Sequence, residues 1–135
     1  MAENRLGIGD IILPADTPND LRIAIEEFMR RVEDNVNYLL FPQLVSVTAA
    51  YTATDLDSAI IVDATSGAVT VTLPDAATVD QKILTIKKID NSNNVTVDGN
   101  GSQTIDGSAT QVLSTQYEAL TIQSDGSNWY ILANK

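Results

Sequence analysis

Apolar positions follow two different periods along the chain, and the change falls near Pro42. Before it, apolar residues are spaced alternately by four and three, at Leu21, Ile25, Phe28 and Val32, then Asn35, then Leu39. That is the seam of a helix, with Ile25, Val32 and Leu39 at one core position and Leu21, Phe28 and Asn35 at the other. Ala24, Met29 and Val36 widen the stripe. Thr17 is placed to cap, Pro18 suits the first helical position, and Asp20 follows three residues after the cap. The pattern predicts a helix over residues 17–41, about 35 Å long at ~1.5 Å per residue. So narrow a seam is best buried against copies of itself, as a helical oligomerisation stalk. A polar Asn35 inside it fits a device that fixes register and oligomer number. The alternative is one amphipathic helix packed on its own β-domain, with Asn35 at the margin.

After Pro42 the period becomes two. In Ala68–Leu73 valines and leucine alternate with threonines, as a half-buried strand requires, and Pro74-Asp75 ends the run. Residues 82–89 predict a strand with Leu84 and Ile86 on one face and Ile83 and Ile89 on the other, and 94–98 a third. Shorter signals lie at 44–47, 59–62, 103–105 and 111–113. Strands at 117–123 and 129–132 flank Ser124-Asp125-Gly126-Ser127-Asn128, a hairpin signal because Gly after Asp permits positive φ. No internal repeat of fixed period is evident. The expected fold is mainly β: an antiparallel sandwich or barrel head over residues 42–135, preceded by a coiled-coil-like helix.

Residues 1–16 carry no sustained period. Gly7, Gly9 and Pro14 punctuate them, and Ile11, Ile12 and Leu13 form an apolar cluster near Ile8. The segment reads either as a flexible arm or, since free tails seldom carry so tight an apolar cluster uncovered, as an extended attachment arm that docks on a neighbouring subunit or a lattice.

Composition removes whole classes of chemistry. The 135 residues include no cysteine and no histidine. Disulfide scaffolds, thiolate zinc sites and imidazole-based triads are therefore excluded. Eighteen acids against eight bases give a formal net charge of −10. A chain so poor in clustered lysine and arginine is not expected to bind nucleic acid or an anionic membrane. No apolar stretch approaches the roughly 18–20 residues a membrane span needs, and no secretory signal pattern opens the chain. It reads as soluble and unprocessed.

The carboxylates need weighing because glycoside hydrolysis uses pairs of them. Asp55 and Asp57, Asp75 and Asp80, and Asp98 and Asp106 are the candidates. Nearly all lie in turn contexts, where Asp is expected for backbone reasons alone, so no catalytic residue is assigned and the chain is not expected to be an enzyme. Residues 90–93 and 98–102 place oxygen ligands at alternate positions but lack the bidentate Glu of an EF-hand loop, so turns are preferred and no metal or cofactor is expected. Of the adjacent pair Trp129 and Tyr130, one is expected in the core and the other exposed or at a subunit interface. Tyr51 and Tyr130 are the candidate surface-binding aromatics, with weak glycan adhesion the competing use of the head.

Four segments carry a resemblance. GAVTVTLPD at 67–75, KILTIKKID at 82–90, NVTVDGNGSQTIDG at 94–107 and YEALTIQSDGSNWYIL at 117–132 resemble a β-module of bacteriophage virion proteins, spanning roughly residues 50–135. The module occurs in tail fibres, head fibres and capsid decoration proteins, commonly as trimers. The resemblance implies a homotrimeric structural protein on the virion, its partner the major capsid protein or another virion protein. It does not reach residues 1–41. A chain this short suits a head fibre or cement protein on the capsid surface better than a long tail fibre.

Overall fold

A computed structural model describes residues 15–135 of the chain, apart from the side chains of residues 38–40. Among these residues one helix precedes nine strands. The chain divides into two compact units, Met1–Pro42 and Gln43–Lys135.

The helix, α1, spans Asn19–Leu40, about 33 Å at ~1.5 Å per residue. It begins slightly later than the capping pattern predicts. Pro18, not Thr17, occupies the cap position, and no side chain caps the first turn. Pro18 still contributes through its carbonyl, which accepts from the Arg22 amide at 2.9 Å. At the other end the Phe41 amide donates to the Asn37 carbonyl at 2.8 Å. Phe41 then leaves the helical region, at φ −121° and ψ 88°, as the residue before a proline must.

The head holds two sheets. The five-stranded sheet takes β1 (Gln43–Val47), β3 (Asp57–Val62), β5 (Ile83–Lys88), β8 (Ala119–Ser124) and β9 (Trp129–Asn134) in that spatial order. The four-stranded sheet takes β2 (Tyr51–Thr52), β4 (Val69–Thr72), β6 (Val95–Asp98) and β7 (Thr110–Leu113). The predicted strands are present, except that 103–105 reduces to isolated bridges from Ile105 to Ser108 and to Trp129. The two-residue β2 was not legible, nor was the 3-10 turn at Ala76–Thr78.

The antiparallel expectation is corrected. Pairs β1–β3, β3–β5, β2–β4 and β4–β6 are all parallel. The cause is the path: from β1 to β5 every strand is followed by one in the opposite sheet, so each return to a sheet runs in the original direction. The pairs β5–β8, β6–β7 and β8–β9 are antiparallel. Both sheets are thus mixed, and neither closes into a barrel.

This winding exposes a repeat that the sequence reading missed. Ala59 pairs with Thr85 and Val69 with Val95, each an offset of 26 residues (85 − 59 and 95 − 69). Across that offset Ile60 matches Ile86, Ser66 matches Ser92, and Val69-Thr70-Val71 matches Val95-Thr96-Val97. With barely two copies and different corners, the period does not stand out without the register.

Alternate residues of both sheets enter one core. Ile60, Val62, Leu84, Ile86, Leu120 and Ile122 come from the larger sheet, and Val69, Val71, Val95, Val97 and Leu113 from the smaller. Trp129 lies among them, fully buried. Two turns show why particular residues are needed. Asp106 and Gly107 both take positive φ, 49° and 82°, in a two-residue turn closed by reciprocal Ile105–Ser108 backbone hydrogen bonds, the geometry Asp-Gly favours. At Gly99 a Cβ would stand 2.3 Å from the Gln103 carbonyl oxygen, so only glycine fits the approach.

Candidate functional site

Three surfaces inherit the sequence expectations: the stripe of α1, the tyrosines of the head, and the carboxylates of its turns. On α1, Leu21 is 53% and Phe28 64% exposed. Ile25 and Val32 are half-buried and Asn35 is exposed. The stripe thus leaves large apolar area on the helix surface, with the amide of Asn35 in the same row. The Leu39 side chain, and the arm residues Ile8, Ile11, Ile12 and Leu13, lie outside what is described.

The tyrosines divide. Tyr51 is half-buried against the core, and its hydroxyl donates to Asp57 Oδ2 at 2.9 Å. The same oxygen accepts from the Thr54 amide at 2.8 Å and its hydroxyl at 3.1 Å. Burial, followed by this acidic partner, pushes the Tyr51 hydroxyl pKa up. Tyr51 therefore secures a corner of the head. Tyr130 is 49% exposed on β9, on the opposite side from buried Trp129, as alternation requires. The charge of Asp125, aided by a hydrogen bond to it, raises the Tyr130 pKa.

Tyr117, another aromatic of the head, is exposed as well. Tyr117 stands at φ 65°, a left-handed conformation uncommon for a bulky residue. Its ring lies 5.8 Å from Lys87 Nζ, within cation–π range. The sequence placed Tyr117 at a strand start, because nothing in its neighbours signals a left-handed turn.

Several of the carboxylates serve the backbone. Asp125 Oδ1 accepts from the Ser127 and Asn128 amides, and Glu118 Oε2 from Ser114 and Thr115. Asp75 Oδ1 accepts from the Ala77 amide and from Gln103 Nε2. Asp106 Oδ1 accepts from the Ile131 amide at 3.0 Å. Hydrogen bonds from Thr65 lower the Asp63 pKa, and those from Asn128 and Ser127 lower that of Asp125. Among the described residues, no group of three or more acidic side chains is arranged to hold a metal ion.

One buried polar group escaped the sequence reading. Lys88 is fully buried, and its Nζ lies 2.8 Å from Asp90 Oδ1 and 2.6 Å from the Asp90 carbonyl. Asp90 Oδ1 also accepts from the Ser92 amide, and Oδ2 from the Ala64 amide one winding away. The Lys88 contact foremost, then these amides, holds the Asp90 carboxyl well below the usual carboxylate range. This pair sits where the preceding winding has Val62 and Ala64, which is 88 − 26 and 90 − 26. It locks consecutive windings at a corner, so the loop at 90–93 acts as a structural clamp. A lysine at an inward strand position was the available signal, hidden by its neighbour Lys87, which points outward.

No protein-family model and no curated protein sequence matches the chain.

Proposed function

We propose that the chain is a non-enzymatic structural protein of a bacteriophage particle: a homotrimer whose helix forms a coiled-coil stalk and whose β-sandwich head projects from the capsid. It acts as a decoration, cement or head-fibre protein, held by the residue 1–16 arm on the major capsid protein or another virion protein. The observation that carries the oligomeric part is the stripe of α1, where Leu21 and Phe28 are each more than half exposed beside Asn35. Apolar rows of this kind are stabilised by burial against equivalent rows. The virion assignment rests on the four resembling segments of the head. Turn carboxylates held by backbone amides support a structural role over catalysis. The mechanism is geometric: three linked arms hold a lattice far more tightly than one.

Light scattering of the purified chain tests the stalk. A mass three times 14.5 kDa that changes on Asn35→Leu is the expected result, and a monomer overturns it. Antibody labelling of the particles tests location. Label on the head supports the proposal. Label on tail tips, or none, favours the second reading, a short tail-fibre or adhesin-type carbohydrate-binding module. The specific observation behind that reading is exposed Tyr130, whose ring would stack on a sugar, and Tyr130→Ala would then reduce glycan-array binding.

A further inference from the structure

The outer face of the five-stranded sheet differs from the rest of this acidic chain. Register places Leu44, Ala59, Thr85, Thr121 and Ala133 side by side across all five strands. Beside that row stand Ile83, Tyr130 and Leu132, each about half exposed. The middle of the face is small and flat, and its margins carry large apolar side chains.

The placement of charge is the second observation. The head's exposed acids lie in turns or on the four-stranded sheet. The one acid on a strand of this sheet, Asp57, is buried, with Oδ2 holding Tyr51 and Thr54. The charged residues in the next row of the face are Lys87, paired with Ala119, and Lys135, which exchanges backbone hydrogen bonds with Ala119. Copies of a chain with net charge −10 repel one another unless the surface between them is cleared of acid. The strands of this face carry no exposed acid; acid reaches it at the Tyr130 end, where Asp125 hydrogen-bonds the tyrosine hydroxyl, and its two cations complement a neighbour's acidic turns. Depletion of charge beneath an apolar and tyrosine-bearing patch is also the composition of an interface core.

We propose that this face is the contact between heads, covered by a second copy of the chain. Five strands at ~4.8 Å spacing and ~18 Å of strand length give about 400 Å² of flat surface. That is half of the ~800 Å² per partner in an ordinary stable interface. The contact therefore forms between copies already gathered by α1, and the inference rests on the oligomeric reading above.

The absence of native cysteine makes the test direct. Thr121→Cys places one thiol at the centre of the face in the full chain, and Thr96→Cys places one on the outer face of the other sheet. Each is treated with a short bismaleimide, and the mass of the untreated sample is measured alongside. An oligomer in which Thr121→Cys cross-links between chains about tenfold more than Thr96→Cys is the expected result. Adding Ile83→Glu should remove that excess while the far-ultraviolet β signal persists. An oligomer without the excess overturns the head contact and leaves the stalk standing. Inter-chain cross-links that survive Ile83→Glu also overturn it. A monomer without cross-links overturns both, and leaves the face to a different partner.

Discussion

In the head, Ile60, Leu84, Ile86, Leu120, Ile122 and Trp129 are completely withdrawn from solvent. Along α1, Leu21, Ile23 and Phe28 each leave more than half of their surface exposed. The head therefore draws its hydrophobic stabilisation from within one chain, at roughly 1.5–3 kcal/mol for each large side chain buried. An isolated helix has no such reserve, since most helical stability in proteins comes from packing an amphipathic face. One unit is a folding core, and the other is a surface whose burial depends on what it meets. Substitutions should then affect folding in the head and association in the helix.

The largest effect should come from breaking the corner clamp. Lys88→Met keeps side-chain volume but leaves Asp90 buried without its cation. Loss of one partner from a buried pair costs about 3–5 kcal/mol. Urea unfolding of the full chain should show this as a large fall in midpoint, with the helical signal followed separately. A change below about 1 kcal/mol would mean that Asp90 is satisfied by the Ala64 and Ser92 amides alone.

Acid should loosen the same corner more gradually. The folded Asp90 pKa lies below its ordinary 3.8, and those of Asp63 and Asp125 are shifted the same way. As pH falls, the unfolded chain takes up these protons first, so stability is complete above 3.8 and declines as pH drops toward the folded values. The thermal midpoint of the head should be flat between about pH 5 and 7 and fall below about pH 4. Lys88→Met should flatten that acid slope, because the chief cause of the Asp90 shift is gone. An unchanged slope would assign the acid sensitivity to the other carboxylates.

The local strands were legible because alternation is a local property. Val69 to Thr72 alternates valine with threonine, and the structure buries both valines. The Ser124–Asn128 hairpin was legible because Gly126, at φ 84°, supplies the left-handed residue the turn needs. Strand direction was not, because parallel or antiparallel pairing depends on which sheet receives the next strand, and no residue encodes that alone. The 26-residue offset became visible only through pairing. Among candidate site residues, Trp129 and Tyr130 divided between core and surface as adjacent strand residues must. Tyr51 is half-buried, its hydroxyl engaged by Asp57 at a turn whose shape the sequence does not reveal. Lys88 was hidden because a lysine in a strand is ordinarily solvated, and its partner is supplied two residues later by a corner.

The smallest effect on the head should come from Phe28→Ala, and it bears most directly on the contrast. Phe28 is 64% exposed on α1, so its removal leaves no cavity in the chain that carries it. Surface substitutions of this kind usually change stability by less than about 0.5 kcal/mol. The urea midpoint of the head, read through the fluorescence of Trp129 buried in its core, should therefore stay where it is. The helical signal and the measured mass should instead become concentration-dependent, since in the proposed stalk the variant weakens a contact between chains. Loss of head stability with unchanged mass would reverse the assignment. The stripe would then be packing within its own chain, and the contrast between the two units would be one of exposure and not of role.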